Sequence, residues 1–357
     1  FRVVAKSLPS VPMLGHVMAA AGTERLMVFH QPFLNAVAAA HPGAGALLGK
    51  PLPVAAADRF HEKLVPGPFD PAKQVEWLID TPERLRQYAE LARGRGVSMR
   101  VNAEIDVGLH RGGFDDPHEL ASLVQAVESD PNLMFSGLMG YDAHVPGLPD
   151  TFGLRDREFS KVESRYRGFL GAVTEVLSPS RAARGASPLE GLTLNAAGSP
   201  TYRLWDRIDG VANELAVGSG LVKPLGFDID TLEDHAPALF LATPVLKASQ
   251  GLELPVVGGA ARWMRYWNPN RAQTFFIYGG YWKARPVSPE GLEENPLFGH
   301  STNQEMLNGS ERVVLGVDDY VFYRPTQSEF VMLQFGDIAA VRGGHVVESW
   351  APLPQAS

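Results

Sequence analysis

The sequence predicts an α/β protein: a (β/α)8 TIM-like barrel over residues 1–224, followed by a mainly antiparallel β domain over residues 225–357. Three observations point there. Eight short apolar, β-branched runs recur over roughly the first 220 residues, separated by stretches of helical periodicity. Several of these runs are continuously apolar, as in parallel strands covered on both faces. After about residue 225 the chain turns to aromatic and β-branched runs broken by Gly, Pro and Asp, the texture of antiparallel strands and turns. An open doubly wound sheet is the structural alternative for the first part.

The eight runs are FRVVAK (1–6), RLMVFH (25–30), ALLGKPLPV (46–54), VEWLID (75–80), SMRVNAEIDVG (98–108), LMFSGLMGYDAH (133–144), LTLNAAGS (192–199) and ELAVGSGLV (214–222). Thr81-Pro82 and Asp116-Pro117 open helices with Pro at the first helical position, and Gly96 closes the first of them. Residues 156–177 read as one long amphipathic helix. Beyond 225, APALFLATPVLKAS, RAQTFFIYGGYW, ERVVLGVDDYVFYRP, EFVMLQFGDIAAVRGG and HVVESW read as the β domain. NPNRAQ and the Pro/Asn-rich stretch 284–304 read as loops.

Composition narrows the function classes. The net charge of -8, with no basic block, argues against nucleic acid or an anionic membrane as the main partner. No cysteine is present, which removes disulfides, thiolate metal sites and a thiol nucleophile. No apolar run reaches membrane-spanning length, no signal peptide is visible, and a cytoplasmic protein is the expectation. An apolar strand beginning at Phe1 without an initiator Met leads to the expectation that residues precede it in the natural chain.

In a barrel the chemistry sits at the carboxyl ends of the strands. The first strand ends in Lys6, the fifth in Asp106 with His110 and Arg111 beyond, and the sixth in Tyr141 and His144. The seventh runs into Asn-Ala-Ala-Gly-Ser and the eighth into Val-Gly-Ser-Gly, small-residue loops whose backbone N–H groups can close on an anion. An imine-forming lysine, a phosphate nest, an arginine and an aromatic group together describe a pyridoxal 5'-phosphate site, in which the cofactor is the electron sink. Lys50 also follows an apolar strand and is the rival Schiff-base candidate.

RVVAKSLPS, LLGKPLPV, EIDVGLHRGG, GLMGYDAH and GDIAAVRGGHVV resemble the D-threonine aldolase and D-serine dehydratase family of fold-type III pyridoxal-phosphate enzymes, with an alanine racemase-like barrel and a β domain. EIDVGLHRGG is the most specific element, and the resemblance covers most of the chain. It implies that Lys6 is the Schiff-base lysine, that Arg111 contacts the cofactor's phenolic oxygen and that Tyr141 contacts the ring or its nitrogen. It also implies that Gly198, Ser199, Gly218, Ser219 and Gly220 hold the phosphate, with Asn195 counted among the cofactor-binding residues. Family lyases usually carry a Pro-Asn-His stretch whose His and a following acid or thiolate bind a divalent metal. Here RPTQSE places Gln327 and Glu329 at those positions. Gln is a poor zinc ligand, so no metal ligand is assigned and metal dependence stays open.

The expected activity is that of a lyase acting on a D-β-hydroxy amino acid, by aldolase-like cleavage or dehydratase-like elimination. The alternatives are a racemase or epimerase, and a non-catalytic pyridoxal-phosphate-binding protein. His144 or Glu329 is a candidate second base. The resemblance implies a homodimer. Each residue also has a plainer reading: Lys6 as a solvated strand-end lysine, Arg111 as an ion-pair partner of Asp106 or Asp115, Tyr141 as core, His110 and His144 as structural histidines, Gly218 and Gly220 as turn residues, and Gln327 and Glu329 as surface residues.

Overall fold

The computed structural model describes every residue except 150, 208, 253–262, 264–265 and 357. Eight strands, β1 (Arg2–Val4), β2 (Arg25–Val28), β3 (Gly45–Leu48), β4 (Val75–Ile79), β5 (Met99–Ile105), β6 (Leu133–Gly140), β7 (Thr193–Ala196) and β8 (Glu214–Val217), close into a barrel in sequence order. Neighbours are parallel throughout, and β8 returns to β1 through Arg2↔Ala216 and Val3↔Val217. All eight strands lie within the runs expected to form them, give or take a residue.

The helices are α1 (Val11–Ala21), α2 (Gln31–Ala40), α3 (Val54–Lys63), α4 (Pro71–Gln74), α5 (Pro82–Arg95), α6 (Pro117–Ser129), α7 (Leu154–Ala182) and α8 (Glu329–Met332). Their ends follow the capping chemistry. The Thr81 hydroxyl accepts from the Arg84 N–H at 3.2 Å, and Gly96 takes the left-handed position that ends α5. Asp116 caps α6 by accepting from the His118 N–H, and Leu120, Leu123, Val124 and Val127 form the buried stripe of that helix.

The barrel interior departs from the apolar filling usual for this architecture. Arg2 on β1 donates from Nε to Glu214 on β8, and from Nη2 to Glu214 at 3.0 Å and to Glu76 on β4 at 3.4 Å. Arg25 adds a second cation to Glu214 at 3.0 Å. Asn102 and Thr193 donate to Glu76 at 3.1 and 2.9 Å, and Asn195 donates to Glu214 at 2.8 Å. Arg2, Glu76, Asn102, Asn195 and Glu214 are all buried. Burial by itself would raise the Glu214 carboxyl, but the Arg2 charge and hydrogen bond, with Asn195 and Arg25, outweigh it and hold the group below its ordinary range.

The second unit is a six-stranded sheet in the order β11-β14-β9-β10-β13-β12. Its strands are β9 (Leu241–Gln250), β10 (Gln273–Ile277), β11 (Ala284–Ser288), β12 (Glu293–Glu294), β13 (Met306–Gly309) and β14 (Tyr320–Pro325). Val245, Phe275, Ile277, Leu307, Val321 and Tyr323 are in its core. Stretch 284–304, expected as a loop, contributes β11 and β12, whose backbones pair antiparallel with β14 and β13.

The expected boundary at 224/225 also needs correction. The compact units are Phe1–Leu221 with Ile229–Glu233 and Phe335–Ser357, and Val222–Asp228 with Asp234–Gln334. The C-terminal runs form a separate hairpin, β15 (Ile338–Arg342) and β16 (His345–Trp350), that packs on α1. The tail is tied there by the Leu353 N–H donating to the Pro9 carbonyl at 2.6 Å and by the His16 and Trp350 rings 6.3 Å apart. Strand propensity marked these residues as β correctly, but propensity says nothing about which sheet a strand joins.

Replacing Arg2 with Met leaves buried Glu76 without its cation and Glu214 with Arg25 alone. The expected cost is about 3–5 kcal/mol, read from the urea midpoint at neutral pH. An unchanged midpoint contradicts this account. Because Glu214 is depressed in the folded state, its contribution is present above the unfolded carboxylate value and is lost as pH falls below about 4. Wild-type stability should fall in that window, more steeply than in the Glu214→Gln protein.

Candidate active site

Lys6 sits in a single 3-10 turn, Ala5–Ser7, at the carboxyl end of β1. It is exposed, and its Nζ lies 4.8 Å over the Phe29 ring at the end of β2, a cation–π contact. The next residue carries the link to the anion cradle, since the Ser219 hydroxyl donates to Ser7 Oγ at 3.0 Å. Ser199 Oγ accepts from the Gly218 and Gly220 N–H groups, both at 2.9 Å. Two backbone N–H groups thus converge on one oxygen within a step of Ser7.

The small residues are required by close approach. A Cβ on Gly218 would lie 2.7 Å from Val4 Cβ and 2.8 Å from Ser7 Oγ, and one on Gly198 would lie 2.5 Å from Tyr141 Cε2. The Gly198 loop is pinned from below by Asp142, which is fully buried and accepts from Thr201 Oγ1 at 2.6 Å and Trp205 Nε1 at 2.9 Å. Thr201 Oγ1 in turn accepts from the Gly198 N–H at 3.2 Å. Burial raises Asp142 from its ordinary value against the pull of those two hydrogen bonds.

The β5 loop brings in the cation. Asp106 accepts from the N–H groups of Gly108 and His110 at 2.9 and 3.0 Å and pairs with His110 Nδ1 at 2.5 Å, so three contacts fold residues 106–110 back on one carboxylate. Burial alone would raise Asp106, and these bonds together hold it below its ordinary value. The loop closes where Phe114 exchanges backbone bonds with Asp106 and Glu104. It presents Arg111, whose guanidinium carbon lies 4.7 Å over the Tyr141 ring and whose Nη2 lies 3.8 Å from Glu104 Oε1.

The contacts run around the mouth from Phe29 to Lys6, Ser7, Ser219, the Gly218–Ser199–Gly220 cradle, Gly198, Tyr141 and Arg111. Asn195 departs from expectation: its amide is committed to Glu214 inside the barrel, because its strand position faces the interior. His144 lies with Nε2 3.6 Å from Glu158 on α7. His110 is engaged with Asp106 rather than Lys6. Lys50 follows β3, and its charge, after burial, lowers His30. In the second unit, Gln327 is exposed and Glu329 opens α8, where the Ser328 hydroxyl donates to it at 3.2 Å. Phe29, Ser7, Asp142 and Glu104 were not among the expected site residues. All four stand at or just past a strand end, which was the available signal.

A family model for the alanine racemase N-terminal domain matches residues 4–223. The chain belongs to that family. Its fold is that of the fold-type III pyridoxal-phosphate enzymes. A D-threonine aldolase from Filomicrobium marinum aligns with a TM-score of 0.74 at 18% identity, covering 98% of this chain and 86% of the aldolase. D-threo-3-hydroxyaspartate dehydratase from Delftia sp. HT23 aligns with a TM-score of 0.68 at 16% identity, covering 99% of this chain and 89% of the dehydratase. The alanine racemase of Bacillus anthracis aligns with a TM-score of 0.68 at 16% identity, covering 98% and 90%. No curated protein sequence matches the chain. The residues at the mouth fit the family's cofactor: N–H groups already converge on an oxygen, an amine stands one residue from Ser7, which accepts from Ser219 of the same loop, and an arginine and a tyrosine ring face each other beside Gly198.

Substituting Gly198 with Ala drives a methyl into the Tyr141 ring. Overpacking of this kind costs about 1–3 kcal/mol, so pyridoxal-phosphate affinity should fall by roughly tenfold or more. Fluorescence titration of the cofactor-free protein checks this, and equal affinity would count against the cradle.

Proposed function

We propose that the chain is a pyridoxal-phosphate-dependent lyase acting in the cytoplasm on a D-β-hydroxy amino acid, by D-threonine aldolase-like cleavage or D-serine dehydratase-like elimination, with Lys6 as its Schiff-base residue. The observation that carries this reading is the adjacency of amine and anion cradle: Lys6 stands beside Ser7, and Ser7 is bonded to Ser219 of the Gly-Ser-Gly loop. Likeness to an aldolase and a dehydratase that act on D-amino acids by name supports the substrate class.

When bound, the cofactor supplies an electron sink for charge developing at the substrate Cα. The rest is assigned to side chains. The Lys6 amine holds the cofactor and, once released, takes the Cα proton. The cradle of Ser199, Gly218, Ser219, Gly220 and Gly198 binds the phosphate. Arg111 offers its N–H fork to the phenolic oxygen, and Tyr141 packs against the ring. His144, whose ring nitrogens make no hydrogen bond among the described residues, takes the proton of the β-hydroxyl. The reading includes a homodimer, which light scattering would test.

A racemase or epimerase is the second reading, favoured by Gln327 standing where related lyases carry a metal-binding His. It would place solvent deuterium at Cα without releasing a fragment.

Borohydride treatment followed by peptide mapping should label Lys6 and leave Lys50 unlabelled. Lys6→Ala should lose the label and more than about a hundredfold of turnover, while Lys50→Ala keeps both. Product analysis with D-threonine and D-serine should give glycine plus an aldehyde, or a keto acid plus ammonia. Label on Lys50 alone, or no change with any amino acid, would sink the proposal.

A further inference from the structure

Glu104 is an oddity among the buried charges. It is 8% exposed, and among the described residues its carboxylate accepts no hydrogen bond. Its one cation among the described residues, Arg111, lies 3.8 Å away, too far for an N–H···O bond. Buried carboxylates ordinarily recover their lost hydration through such bonds, as Glu214 and Glu76 do one layer deeper.

Strand alternation shows where it looks. Asn102 on β5 faces the barrel interior, where it bonds Glu76, and Glu104 is two residues further on, on the same face about 6.6 Å nearer the carboxyl end. Its carboxylate therefore borders the mouth, behind the guanidinium that stacks on Tyr141. Asp80 and Asp106 are its other charged neighbours, and Asp106 is itself engaged with His110. Arg111 has no other side-chain partner among the described residues than Glu104 and the Tyr141 ring. Most of its five N–H donors are thus left for a ligand oxygen.

We propose that Glu104 is a positioning residue: its buried carboxylate holds the Arg111 guanidinium over Tyr141 and offsets its charge, setting how strongly Arg111 acts on the bound cofactor. The inference rests on the cofactor reading above. At ion-pair distance rather than hydrogen-bond distance, the carboxylate leaves the Arg111 N–H groups for another acceptor.

The test reconstitutes wild type, Glu104→Gln, Glu104→Asp, Arg111→Met and the Glu104→Gln/Arg111→Met double variant with pyridoxal phosphate. It follows the bound cofactor's visible absorption against pH, and each protein's melting temperature. Removing the negative charge leaves Arg111 unopposed, so protons leave the cofactor at lower pH. The Glu104→Gln midpoint should move to acid by about one pH unit, with melting unchanged or raised. Glu104→Asp should keep the wild-type midpoint. With Arg111→Met in place, Glu104→Gln should shift it by no more than about a third as much, as expected for coupled sites. An unmoved midpoint, a lowered melting temperature without a shift, or a full shift without Arg111 overturns the positioning role while leaving the cofactor reading intact. A wild-type protein that acquires no visible band overturns both.

Discussion

The Arg2–Glu214 ion pair is the constraint from which the rest of the barrel follows. It joins the first strand to the last at the seam where the sheet closes, and it is buried. A charge pair in that setting is costly unless every donor and acceptor is met. Here Glu76, Arg25, Asn102, Thr193 and Asn195 extend it across five further strand positions. Such a network tolerates little slippage, because moving any strand by one residue would turn its polar group to the opposite face. The register of β1 is fixed in this way, and with it the place where Lys6 leaves the strand.

The mouth is built from loops that are each tied by one carboxylate or hydroxyl. Asp106 folds the Arg111 loop, Asp142 pins the Gly198 loop through Thr201 and Trp205, and Ser199 gathers Gly218 and Gly220. The result is preorganised: groups suited to a phosphate, a phenolic oxygen and an aldehyde are already held by partners that belong to the protein. Preorganisation of this kind lowers the ordering cost of binding. The buried network below and the loop anchors above divide the work, one fixing strands and the other fixing their extensions.

Much of the frame was legible in the sequence, for local reasons. Thr81-Pro82 and Asp116-Pro117 mark helix starts because capping is satisfied within four residues. Continuous apolar runs mark parallel strands because both faces are covered. What the hairpin β15–β16 packs against was hidden, since two strands of moderate propensity carry no record of their neighbour. Stretch 284–304 looked like loop because Pro and Asn mask strands as short as β12. Asn195 was assigned to the cofactor because its loop is small and polar, while its side chain is drawn inward by a glutamate nineteen residues away.

By itself, the sequence determined the order of the barrel elements and the family, because periodicity, caps and motifs act over a few residues. Tertiary structure alone decided that Arg2 and Glu214, 212 positions apart, meet inside the barrel. It also decided that Ser7 reaches Ser219 and that Glu104 stands unbonded behind Arg111. The Arg2–Glu214 and Ser7–Ser219 pairings depend on closure of the sheet, which brings the first strand against the eighth, and no local pattern encodes that distance.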